Sequence, residues 1–394
     1  MTNVAHLILF IIALPAIATC GYLLLFTLLS GTPAVPPRYS KRLRFEIIVP
    51  AHNEAVSIGR VIRSLQRIDW PKDSFRIVVV ADNCSDATAT LARAAGADVI
   101  ERHDTRRRGK GYALDAAFRS SLASDWADAV VVVDADSEVS TNLLEAFAAR
   151  IDRGAGVLQA HYGVLNVAAS WRTRLMSIAL GAFHRVRSRA RERLGLSCGI
   201  RGNGWCITLR VLRMVPYRAF SLTEDLEYGI DLGLAKQRVH GVDEATVAAT
   251  MVTGEAASRS QRQRWESGRG QLIRSRSAPL LRAALGSGGK VCLDLLLDLW
   301  VLPLSYVVLN VLLLIGLAGM ARPWEASLGI WAWVGAGCAV CLMLYVLRGW
   351  QLSGVGARGA LDLLRAPFYV LWKLVLMLRT HAPAEWVRTR REDV

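Results

Sequence analysis

From Val4 to Leu29 the chain is almost wholly apolar and carries no Asp, Glu, Lys or Arg. At about 1.5 Å per residue, such a run crosses the roughly 30 Å hydrocarbon core of a bilayer. A signal peptide is the competing reading, but it calls for a positively charged leading region and a shorter apolar core. Apolar character returns over Val291–Met320 and Leu328–Leu347, with Ala321-Arg322-Pro323-Trp324-Glu325 between them as a tight external loop. A further run, Ala366–Leu378, is about thirteen residues long and includes Lys373. It is too short to cross and reads as an interfacial or re-entrant helix.

The stretch between these segments is mixed and charged. Its apolar runs are short and alternate with helical spacing. Glu46-Ile47-Ile48-Val49-Pro50 predicts a buried strand, and Ile58, Val61, Ile62 and Leu65 predict a helix behind it. Arg76-Ile77-Val78-Val79-Val80 predicts a second strand, followed by a helix ending near Gly96. Val130–Val133 predicts a third. Strands alternating with helices imply a parallel α/β sheet. The chain therefore divides into an N-terminal anchor and basic linker (1–44), a soluble domain (45–289) and a C-terminal membrane region with a basic tail (290–394).

The composition agrees. Of 394 residues 53% are apolar, yet the net charge is +15. Arg38, Lys41, Arg42 and Arg44 follow the first span, and Arg379, Arg388, Arg390 and Arg391 fill the tail. The positive-inside rule places the middle domain and the tail in the cytosol of a multi-pass membrane protein. The seven cysteines are scattered, and no paired CxxC units suggest zinc or a disulfide framework.

Each predicted strand ends in acidic or amide groups: Asn53-Glu54, Asp82 through Asp86, and Asp134-Ala135-Asp136. In a parallel sheet these ends share one edge, where such sheets bind ligands. A carboxylate pair there suits Mg²⁺ or Mn²⁺ beside phosphate oxygens. No GxGxxG follows the first strand and no GxxxxGK[ST] occurs, which argues against dinucleotide and P-loop sites. Arg108-Gly109-Lys110-Gly111 is either a basic loop that approaches phosphates or a solvated turn.

In order along the chain stand Pro50-Ala51-His52-Asn53-Glu54, Asp82 through Asp86, Asp134-Ala135-Asp136, Thr223-Glu224-Asp225 and Gln261-Arg262-Gln263-Arg264-Trp265. The set, over about Phe45 to Gln271, resembles the membrane-bound family 2 glycosyltransferases of the polysaccharide-synthase type, such as those for cellulose, chitin, hyaluronan and poly-N-acetylglucosamine. The resemblance implies a GT-A fold, a UDP-linked or similar nucleotide-diphosphate sugar donor and a divalent metal, in a bacterial inner membrane. It places Pro50, Asn53, Glu54, Asp82, Lys110, Asp134 and Asp136 on the donor side, with Asp82 on the base and Asp136 on the metal. Asp225 becomes the catalytic base, while Glu224, Gln261, Arg264, Trp265 and Asn203 line the acceptor and diphosphate region. The family often has paired aspartates after its second strand; here the first position is Ala81.

A carboxylate at Asp225 suits proton removal from an acceptor hydroxyl that attacks the anomeric carbon, inverting it. The acceptor is read as a growing surface polysaccharide, with single transfer to a lipid or lipid-linked acceptor as the alternative. Polysaccharide-export partners or a homo-oligomer would complete a translocation path. Nucleic acid is not expected as a partner, because the acidic motifs repel phosphates unless a metal intervenes. Three features stay open. Arg201-Gly202-Asn203-Gly204-Trp205 is a structural turn or an acceptor-pocket loop. The alternating Arg185, Arg187, Arg189, Arg191 and Arg193 form a solvated basic helix or meet anionic headgroups. Asp294 and Asp298 share a helix face and are read as reaching the headgroup zone.

Overall fold

The structure, a computed structural model, describes residues 2–37, 42–251, 255–286 and 288–365, without the side chains of residues 2 and 255–266. The described chain forms two compact units, one of residues 32–177 and 191–299, the other of residues 2–31, 178–190 and 300–365.

The first unit is built on eight strands: β1 (Phe45–Ala51), β2 (Phe75–Asp82), β3 (Asp98–Arg102), β4 (Ala129–Val132), β5 (Ser137–Val139), β6 (Val157–Val164), β7 (Trp205–Thr208) and β8 (Val239–Ala249). They form one sheet in the order β3-β2-β1-β4-β7-β6-β8-β5. The first four strands are parallel; β7 runs antiparallel to both β4 and β6. Successive side chains of a strand face opposite sides, so a parallel strand covered on both faces must be apolar throughout. Ile47, Val49, Val79 and Val131 face Ile58, Val61, Ile62 and Leu65 of the Ile58–Gln66 helix. Ile48, Val80, Val130 and Val132 face Ala113, Leu114, Ala117 and Phe118 of the Lys110–Ser124 helix. The register pairs Ala51 with Ala81 and Ile48 with Val132, so the chain leaves β1, β2 and β4 along one edge. Asn53 (φ 55°) and Asn83 (φ 51°) turn it there in the left-handed region, which asparagine tolerates better than most residues.

The second unit contains three helices long and apolar enough to cross a membrane, at Asn3–Leu29, Leu304–Ala321 and Ala326–Ser353. Ala16, Cys20 and Leu23 of the first pack with Val307 and Val311 of the second and Cys338, Leu342 and Tyr345 of the third. Leu7, Ile11, Leu14, Leu312 and Met343 point outward, as lipid-facing side chains do.

Three expectations need correction. The apolar run Val291–Met320 is not one span. Pro303 starts a new helix at Leu304, and the preceding Gly289–Trp300 helix packs Cys292, Leu295 and Leu299 against Ile230, Leu272 and Leu280 in the first unit. Nor do the alternating arginines form one solvated face: Arg193 is exposed and Arg185 half-buried, but Arg187, Arg189 and Arg191 are buried. Arg187 Nε donates to Tyr345 Oη at 3.0 Å. Arg191, 1% exposed along its side chain, lies 2.8 Å from both Asp294 and Asp298. The acidic pair thus neutralises a buried guanidinium rather than reaching headgroups. The expected Ala366–Leu378 helix and the basic tail lie outside the described residues.

Candidate active site

The turn after β1 is laced to the turn after β2. Asn53 Oδ1 accepts from the Ser85 N–H at 2.7 Å, Thr88 Oγ1 accepts from the Glu54 N–H at 2.8 Å, and Ser57 Oγ donates to Glu54 Oε2 at 2.7 Å. Asp82 ends β2 with 5% of its surface exposed. Its Oδ1 sits 2.6 Å from Arg102 Nη1 and accepts from Asn83 Nδ2 at 3.0 Å. Arg102 in turn lies 5.7 Å over the Tyr112 ring. Half of the Asp82 carboxylate is thereby committed to an arginine that motif reading did not single out.

After β4, Asp134 meets the Lys110–Ser124 helix. Lys110 Nζ lies 2.5 Å from Asp134 Oδ1 and also donates to the Gly202 carbonyl. Burial works against the Lys110 charge, but Asp134, Glu224 and Asp225 outweigh it and raise its pKa. Lys110 is therefore a fixed cation at this edge, not a solvated turn residue.

The Arg201–Trp205 loop lies beneath the Asp134–Asp136 turn. Asn203 is 1% exposed; its Oδ1 accepts from the Asp134 N–H at 3.0 Å and its Nδ2 donates to Ser137 Oγ at 2.8 Å. Asn203 thus holds the aspartate turn from below. Gln159, which carries no motif signal, accepts from the Arg201 N–H at 2.8 Å and donates to the Asn203 carbonyl at 2.8 Å. The loop turns through Gly202 (φ 81°) and Gly204 (φ 70°), and a Cβ at 204 would sit 2.6 Å from Val247 Cγ2. Gly204→Ala is expected to lose at least about 1–2 kcal/mol from the left-handed backbone alone. It should also loosen the Asp134 clamp, so a thermal melt and a donor-binding titration should both weaken.

Thr223 precedes the Glu224–Leu234 helix, placing Glu224 and Asp225 in its first turn, where the helix dipole favours carboxylates. Asp225 lies against Gly202: its Oδ2 would be 3.1 Å from a Cβ there. Both acids are nonetheless raised. Burial lifts Glu224, with the Asp225 charge next, up to about 7. Burial also lifts Asp225, against the Leu226 N–H, Lys110 and Arg201.

Gln261, Arg264 and Trp265 fall within the Glu255–Leu285 helix, but their side chains lie outside the described residues. Further along, the helix backbone passes Thr223 so closely that a Cβ on Gly268 would meet Thr223 Cγ2 at 2.6 Å. Arg276 reaches Glu227 at 3.3 Å and Asp231 at 3.0 Å, tying this helix to the one that carries the acidic pair.

Among the described residues, no three His, Cys, Asp or Glu side chains gather closely enough to hold a metal by themselves. Asp134 and the 5% exposed Asp136 offer hard oxygen ligands two residues apart. That set fits a Mg²⁺-type ion bound by one or two carboxylates and completed by substrate phosphates.

The model for glycosyl transferase family 2 matches residues 46–207, and that for glycosyl transferase family group 2 matches residues 129–378. A β-monoglucosyldiacylglycerol synthase from a Synechocystis species is 28% identical over 227 residues, 56% of this chain and 47% of the relative. The probable glycosyltransferase YdaM of Bacillus subtilis is 26% identical over 192 residues, 48% of this chain and 46% of its own. The chain thus spans about half the length of these curated relatives. The solved mannosyltransferase PcManGT from Pyrobaculum calidifontis, in complex with GDP-Man and Mn²⁺, superposes with a TM-score of 0.56 at 19% identity, covering 90% of this chain and 99% of that one. At that identity the likeness is one of fold, and the fold is GT-A-like.

Proposed function

The chain belongs to the family 2 glycosyl transferases, and from that premise we propose that it moves one hexose from a UDP-linked or similar nucleotide-diphosphate sugar to a hydroxyl of a membrane lipid, inverting the anomeric carbon. The observation that carries the reading is the convergence of Lys110, Asp134, Glu224 and Asp225 at the carboxyl edge of the sheet. The Synechocystis relative, named as a β-monoglucosyldiacylglycerol synthase, supports a lipid acceptor, as do three membrane-length helices. The Gln261–Trp265 motif supports a second reading, extension of a surface polysaccharide, for which export partners or a second copy would be needed.

In this reading Asp225 takes the proton of the attacking hydroxyl, and Lys110 offers positive charge to the departing diphosphate. Asp82, steadied by Arg102, faces the donor's nucleoside end. Asn203 and Gln159 keep the Asp134–Asp136 turn in place. A Mg²⁺ or Mn²⁺ ion on Asp136, with Asp134 beside it, would offset the charge that gathers on the leaving group. Gln261, Arg264 and Trp265 are assigned to the acceptor and diphosphate side.

The base works only when ionised, and burial raises Asp225 above the ordinary carboxylate range. kcat/KM should therefore climb with pH through an acidic limb above the usual aspartate value and then level off. Glu224→Gln removes the like charge beside Asp225, so its acidic limb should move to lower pH. A pH–rate profile of both proteins checks this.

To test the acceptor, the full chain in nanodiscs is given donor and a membrane lipid extract, and the products are sized by mass spectrometry. One hexose per lipid supports the lipid reading. Long glycans support the polysaccharide reading, and glycan-free products from an active donor contradict both.

A further inference from the structure

Residues 215–223 connect the Leu209–Met214 helix to the acidic pair and cross the first turn of the helix that carries Lys110. The crossing is anchored at several points. Tyr228 Oη donates to the Val215 carbonyl at 2.7 Å, and the Ser221 N–H donates to Glu227 Oε2 at 3.1 Å. The Ala219 carbonyl lies so close to Gly111 that a Cβ there would collide with it. Phe220 stacks on Tyr112, ring centres 4.5 Å apart, while remaining 41% exposed.

Between these anchors, the hydroxyls of Tyr217, Ser221 and Thr223 are buried and have no hydrogen-bond partner among the described residues. Tyr217 is 5% exposed and Thr223 6%. Thr223 occupies the N-cap of the Glu224–Leu234 helix, yet its side chain makes no capping bond, the usual task of a threonine there. A buried hydroxyl without a partner costs about 1–3 kcal/mol, and native structures rarely leave one so. Here three fall within seven residues, immediately before Glu224 and Asp225. The Tyr217 hydroxyl lies within the electrostatic reach of both acids.

We propose that Tyr217, Ser221 and Thr223 form a polyol-recognition subsite, whose hydroxyls pair with those of the transferred sugar or of a polyol headgroup on the acceptor and so determine which hydroxyl pattern is accepted. The inference rests on the transferase reading above. Its logic is that of sites built around polar groups: an analogue lacking the matching hydroxyl leaves the protein group unpaired and is rejected. The position suits this task, because Phe220–Tyr112 stacking ties the segment to the Lys110 helix while Thr223 leads directly into the acidic pair.

Three single variants of the full chain in nanodiscs, Tyr217→Phe, Ser221→Ala and Thr223→Val, test it by thermal melting and steady-state kinetics. Each should melt at or above the parent's temperature, since an unpaired buried group is removed, while kcat/KM falls about three- to tenfold. A substrate analogue lacking the matched hydroxyl should show no further loss in the variant. Loss already present in acceptor-free donor hydrolysis identifies the donor sugar as the ligand; loss only in transfer identifies the acceptor headgroup. Lower melting temperatures for all three variants would show that the hydroxyls are paired within the protein and would overturn the proposal. So would unchanged kcat/KM and unchanged discrimination against the analogue. A parent chain that releases no nucleoside diphosphate from any donor removes the transferase reading itself, a result seen before any variant is compared.

Discussion

Asp225→Asn should lower the rate of sugar transfer by about a hundred- to ten-thousandfold, the range over which a positioned general base contributes. Asparagine keeps the shape of the side chain and removes only its capacity to take a proton. The surroundings make the effect specific. Asp225 lies against the Gly202 turn, and burial raises its pKa while Lys110 and Arg201 act in the opposite direction. Replacing it removes a carboxylate whose charge is disfavoured by burial, so the variant should fold at least as stably as the parent. Donor affinity should change little, because Lys110, Asp134 and Asp82 remain. Full kinetics with a parallel donor-binding titration separate these effects. A kcat within tenfold of the parent would mean that the base lies elsewhere.

The second large effect concerns stability. Arg191→Ala should cost about 3–5 kcal/mol, since it strands Asp294 and Asp298 in the interior without their cation. The two acids stand four residues apart on one helix and take two different nitrogens of the guanidinium, Nε and Nη2, so Arg191→Lys should restore only part of the loss. Replacing all three by apolar residues of similar volume should bring stability back near the parent, because the pairing is weighed against its own desolvation. Thermal melts of the single, lysine and triple variants decide this. An Arg191→Ala protein that melts with the parent would show that the triad carries no stabilising weight.

Much of this architecture was legible in the chain. The strands β1, β2 and β4 announce themselves as runs of Ile and Val because both of their faces are covered. The other strands hide for physical reasons. Strand β7 has four residues starting just after Gly204, and β5 has three. Strand β6 carries Gln159 and His161 and shifts register against β8 between Ala160 and His161. The acidic motifs were readable because they follow visible strands. Arg102 was not, although the register sets it directly opposite Asp82 on the neighbouring strand; recognising β3 after the Gly96 turn would have exposed it. The glycines flanking Asn203 left a structural turn and an acceptor-pocket loop both open; in the fold they let its backbone turn beneath Asp134. In the membrane region, Pro303 was the overlooked signal: a residue before proline avoids helical geometry, and the apolar run breaks there.

The most direct measurement of the central claim is nucleoside-diphosphate release by the full chain in nanodiscs, across a panel of donors, with Mg²⁺ or Mn²⁺ and a membrane lipid extract. Release from one donor, stimulated by the lipid acceptor and abolished by Asp225→Asn, is the expected result. Absence of both release and donor binding across the panel would contradict it.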